Sequence, residues 1–125
     1  MISNTYFRTY VSQIDWATLF TEKLDIPLDE NEAYDVADSF NTQLLNSVEN
    51  ADEGIDYIGV KKLTPKYYYG FTFTFQNIQI VQLQGGKLVL GLEVLSQPAS
   101  CLAKCGKCIF RGYWDGTEWH TNHTE

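Results

Sequence analysis

Near Ile55 the chain changes its hydrophobic period, and that change limits the fold more than any other feature. Before it, apolar residues recur at three- and four-residue steps, the repeat of a helix with one buried face. After it they alternate, the repeat of a half-buried strand. Helices followed by strands is the order of the α+β class, so the expected architecture is two N-terminal helices packed on an antiparallel sheet of five or six strands. With 125 residues, 44% of them hydrophobic and 14% aromatic, the chain is expected to form a single domain over 1–125 with a sizeable core.

The first helical stretch covers residues 5–24, where Phe7, Tyr10, Ile14, Ala17, Phe20 and Leu24 form a stripe that Val11 widens. Asp15 offers an alternative, a fresh helix start after a break near Ser12. Asp25-Ile-Pro27-Leu is a connector, because proline lacks the N–H that a helix interior uses. The second helix begins at Asp29, an N-cap residue with Glu32 three positions later as in a capping box. Ala33, Val36, Ala37, Phe40, Leu44 and Val48 carry its apolar stripe to about Glu49. Asp35, Asp38, Asn41, Thr42, Asn46 and Glu49 fall on the opposite face.

In the second half, Ile58 and Val60 predict a strand before a turn at Thr64-Pro65. Tyr67, Tyr69, Phe71, Phe73 and Phe75 then alternate with Thr72, Thr74 and Gln76, which predicts one strand with an aromatic inner face beneath the helices. The phase flips at Gln76-Asn77, requiring a turn or a bulge. Gly85-Gly86 is a hairpin signal, and Leu88, Leu90, Leu92 and Val94 alternate on the returning strand.

The tail concentrates the ligand chemistry. All three cysteines and both histidines lie within the 23 residues from Cys101 to His123. Asp115-Gly116 suits a two-residue hairpin turn. In that register Trp114 faces Thr117, Arg111 faces His120 and Cys108 faces His123. Opposite residues of a ribbon lie about 4.5–5.5 Å apart, close enough to share a zinc ion held at about 2.0–2.3 Å per ligand. The expected structural zinc site is therefore Cys101, Cys105, Cys108 and His123, pinning the C-terminal hairpin. A turn one residue longer makes His120 the fourth ligand instead. The bland alternative is three free thiols acting as small hydrophobes. A disulfide framework is not expected from an odd number of cysteines without secretory context.

Charge is uneven. The net formal charge is −7, yet residues 1–60 carry twelve acids against Arg8 and Lys23, while residues 61–125 carry seven bases against four acids. Between Lys23 and Lys61 there is no lysine or arginine, so the carboxylates of the second helix lack i, i+4 partners. Helix-dipole stabilisation accounts for Asp29, Glu30 and Glu32 in the first turn, but not for Asp35, Asp38, Glu49, Asp52, Glu53 and Asp56. Such a front half repels phosphates, so direct nucleic-acid binding is not expected. No segment has the length or apolarity of a membrane span or signal peptide, and the expected location is the cytoplasm.

No glycine-rich phosphate loop, nucleophile context or inward-facing carboxylate pair is present, so no enzyme is expected. In its size, its acidic stretch Asp29–Asp56 and its lack of catalytic residues, the chain resembles the small acidic anti-CRISPR proteins of phages and mobile elements. The resemblance implies a cytoplasmic inhibitor, acting in a bacterial host, that blocks nucleic-acid loading by an RNA-guided nuclease. Its partner-binding residues would be Asp35, Asp38, Glu49, Asp52, Glu53 and Asp56, standing in for phosphates in a basic groove. Two alternatives are an immunity protein neutralising a bacterial toxin, and a zinc-stabilised adaptor that contacts nucleic acid or protein through its lysine-bearing C-terminal half.

Overall fold

The computed structural model describes residues 3–47, 58–101 and 106–121. Helix α1 spans Asn4–Ser12, α2 spans Trp16–Thr18 and continues as a π-helical turn over Leu19–Lys23, and α3 spans Glu30–Asn46. Among the described residues six antiparallel strands follow: β1 (Ile58–Lys62), β2 (Lys66–Tyr68), β3 (Phe71–Gln82), β4 (Leu88–Pro98), β5 (Lys107–Trp114) and β6 (Trp119–Thr121). Their spatial order is β1-β3-β4-β5-β6, with β2 pairing the same edge of β3 as β1. The architecture is α+β, with the helices on the sheet.

The expected single helix over 5–24 is broken at the alternative point. Asp15 caps a new start, its carboxylate accepting from the Thr18 amide at 3.0 Å and the Thr18 hydroxyl at 2.5 Å. The break has a packing reason. Trp16 lies off the apolar stripe of an unbroken helix, yet it is fully buried, with its indole N–H donating to Asn41 Oδ1 at 2.7 Å. Asn41 is therefore not a solvent-facing residue of α3. The π-helical turn, closed by Leu24 N–H donating to Leu19 C=O at 2.9 Å, brings adjacent Leu19 and Phe20 into the core together. Asp25 then takes the left-handed conformation usual at helix ends, with φ of 56°.

Helix α3 starts as its sequence predicts. Asp29 accepts from the Glu32 amide at 2.8 Å and Glu32 reaches back to the Asp29 amide at 3.3 Å. Val36, Phe40 and Leu44 face inward. Phe40 stacks on Phe75 of β3 with ring centroids 4.2 Å apart, and Trp16 and Phe20 approach Phe75 at 5.4 and 5.6 Å. Aromatic pairs of this kind contribute about 0.5–1.5 kcal/mol beyond their buried area. They fasten the helical layer to the middle of the sheet.

The sheet departs from its sequence pattern at the aromatic run. The alternating aromatics do not form one strand: Tyr69 and Gly70, with φ of 52° and 85°, make a two-residue turn, so β2 folds back with Tyr68 opposite Phe71. Phe73 and Phe75 belong to the core, but Tyr67, Tyr69 and Phe71 are exposed, which corrects their expected place beneath the helices. The phase flip at Asn77 is a bulge, with φ of 53° and a register shift between Gln76 and Gln79. The Gly85-Gly86 turn joins β3 to β4, both glycines at positive φ.

Candidate functional site

Helix α3 places Asp35 and Asp38 on its exposed face beside Tyr34, which is 73% exposed. None of the carboxylates of α3 forms an ion pair among the described residues. Like charges at 32, 35 and 38 succeed one another at three-residue steps, an arrangement that costs helix stability. Glu49, Asp52, Glu53 and Asp56, the remaining expected contact residues, lie outside the described residues.

The exposed hairpin of β2 and β3 stands next to this face. Glu32, Asp35, Val36 and Ser39 line one side of a groove of about 230 Å³ whose other side is Lys66 and Tyr68. Desolvation, and then the charges of Asp35 and Glu32, raise the Tyr68 phenol above its usual pKa. The Tyr69 phenol is raised by desolvation and then by Glu32 and Asp29. The carboxylates and the tyrosines thus share one electrostatic neighbourhood. Sequence reasoning assigned the acids but missed the tyrosines, whose alternation reads as core; Gly70 was the available signal for the turn.

The tail hairpin forms in a different register from the expected one. Trp114 pairs with Trp119, Tyr113 with His120 and Gly112 with Thr121, so neither Trp114–Thr117 nor Arg111–His120 pairing is made. The cause is Asp115. Its Oδ1 accepts from the Thr117 and Glu118 amides at 2.7 and 2.9 Å, which lengthens the connection to four residues. Asp115 Oδ2 lies 2.6 Å from His120 Nε2, and the imidazole stacks on Tyr113 at 4.8 Å. The Glu118 backbone hydrogen bond, followed by the His120 contact, lowers the Asp115 carboxyl to about 2.

Of the expected zinc ligands, Cys105 and His123 lie outside the described residues. Cys101 is disulfide-bonded, against the expectation that no disulfide forms; an odd cysteine count leaves one thiol over but does not forbid a pair. Cys108 is that free thiol, exposed on β5 opposite Leu95. A disulfide sulfur is not a thiolate ligand, so Cys101 can serve zinc only after reduction. His120, the alternative fourth ligand, is engaged elsewhere. Asp115, Glu118 and His120 bring three ligand atoms within 4.8 Å of one another, the only metal-competent group among the described residues. Its donors are two oxygens and one nitrogen, with no sulfur.

No protein-family model, curated protein or solved structure matches this chain. No described helix is long and apolar enough to cross a membrane.

Proposed function

We propose that the protein is an inhibitor that binds a basic, nucleic-acid-handling protein through the face built from α3 and the β2–β3 hairpin, occupying a groove that otherwise receives phosphates. The observation that carries this reading is the set of carboxylates on α3, Asp35 and Asp38 foremost, which form no ion pair among the described residues and lie beside exposed Tyr34 and near Tyr69. Carboxylates of one sign steer a cationic partner and set specificity, whereas tyrosines supply the contact area that interface centres favour. Residues three apart on a helix rise by about 4.5 Å, near the phosphate spacing of about 3.4 Å along one DNA strand.

The partner proposed is an RNA-guided nuclease, the inhibition being of nucleic-acid loading. An immunity protein acting on a toxin nuclease uses the same face, and the two are separated by which nuclease is stopped. The test is a loading assay with purified apo nuclease. The protein blocks loading at near-equimolar ratio, with affinity falling as salt rises. Asp35→Asn with Asp38→Asn weakens it about tenfold or more, one to two exposed charge contacts' worth. Undiminished inhibition by that double variant, or direct salt-sensitive binding of the purified protein to DNA or RNA, overturns the reading.

A further inference from the structure

We infer that the cavity between the Lys23–Pro27 connector and the β2–β3 hairpin receives an arginine side chain presented by the basic partner. The inference rests on the function proposed above and names what that surface selects.

The cavity encloses about 340 Å³. Its floor is apolar, with Ile26 and Phe73 each 5% exposed and Ile109 half-buried beside them. Its rim is aromatic and open, Phe71 at 44% and Tyr69 at 55% exposure. The two segments that form it are both turned by non-glycine residues at positive φ, Asp25 at 56° and Tyr69 at 52°. The connector is tied in place by the Ile26 amide, which donates to Phe20 C=O at 2.8 Å.

The chemistry of these walls discriminates among occupants. An apolar floor takes an aliphatic stem, and an aromatic rim takes a planar cation on its ring faces. Asp25 in the lining, with Asp29 and Glu32 acting on Tyr69 from the cap and first turn of α3, outweighs Lys23, so the mouth favours positive charge. Arginine meets all three demands with one side chain. Its guanidinium is planar and weakly hydrated, whereas the lysine ammonium is a compact, strongly hydrated charge that gives up water at greater cost. An aromatic side chain would fill the floor but leave the carboxylates unanswered.

The experiment uses fluorescent octa-arginine, octa-lysine and alternating lysine–phenylalanine peptides, with anisotropy read at fixed ionic strength on the full chain. The expected result is octa-arginine bound about tenfold more tightly than octa-lysine, a cation–π contribution of ordinary size. Tyr69→Gly removes the ring at a position whose positive φ glycine accepts without strain, so the fold is retained; Phe71→Ala is the second variant. Each removes the arginine preference, bringing octa-arginine to the affinity of octa-lysine for the same variant. Asp35→Asn with Asp38→Asn weakens both cationic peptides alike. Equal binding of arginine and lysine peptides, or a preference that survives Tyr69→Gly, overturns the cavity assignment while the acidic-face reading stands. Tighter, Tyr69-dependent binding of the phenylalanine peptide overturns it in favour of an aromatic occupant. Failure of all three peptides to bind overturns both.

Discussion

Asp115 organises the tail with one carboxylate. One oxygen holds the Thr117 and Glu118 amides, the other holds His120, and the imidazole then packs on Tyr113. Because these bonds favour the ionised form, the folded-state pKa is lowered to about 2, beneath the usual value of about 3.9. A lowered pKa means the contribution is fully present above pH 4 and is lost as pH falls through the folded value. Urea midpoints measured from pH 5 to 2 should therefore decline, and Asp115→Asn should flatten that decline between pH 4 and 2. At neutral pH, Asp115→Ala should cost about 1–2 kcal/mol, the usual loss of a side chain that caps backbone amides. An unchanged pH profile in the asparagine variant shows that other carboxylates set the acid limit. Gly112 illustrates what pattern reading misses at this scale: a Cβ there would collide with the His120 carbonyl oxygen, an approach visible only once β5 and β6 are paired.

At the scale of elements, local hydrogen bonding was legible and turn length was not. Asp15 and Asp29 announce helix starts because their caps involve residues three positions away, and Asn77 announces its bulge by reversing the apolar phase. The β2–β3 turn escapes the same reasoning because a two-residue loop preserves alternation: Tyr67, Tyr69, Phe71 and Phe73 stay in phase across it. The tail turn escapes because one carboxylate adds two residues to it. That register separates the expected zinc arrangement from the pairing that forms, and redox state decides the rest. With reductant present and Cys101 freed, cobalt added as a zinc surrogate should give thiolate-to-metal absorption saturating at one equivalent if Cys101, Cys105, Cys108 and His123 hold the ion. The disulfide form should give none, and Cys108→Ser should abolish it. Cobalt bound without thiolate absorption in either redox state assigns the ion to Asp115, Glu118 and His120. No metal bound by the reduced chain ends the zinc proposal.

The whole molecule sets a strong core against a costly surface. Trp16, Phe20, Phe40 and Phe75 are all fully buried in one cluster joining α2, α3 and β3, which provides the stability. Against it stand a net charge of −7 and a helix whose exposed acids have no cationic partner among the described residues. Nothing in packing asks for those acids. Asparagine has nearly the helix propensity of aspartate, and beyond the first turn the helix dipole no longer rewards negative charge. Asp35→Asn with Asp38→Asn should therefore raise unfolding stability by about 0.5–1 kcal/mol at low salt, the sum of relieved like-charge pairs. The gain should shrink toward zero in about 1 M salt, where screening acts over about 3 Å. A surface that destabilises the chain and is proposed to serve binding would fit the pattern of function retained at a cost to folding. Denaturation of both forms at two salt concentrations decides it: a double variant less stable than the parent at low salt gives Asp35 and Asp38 a structural role and removes the cost on which this argument stands.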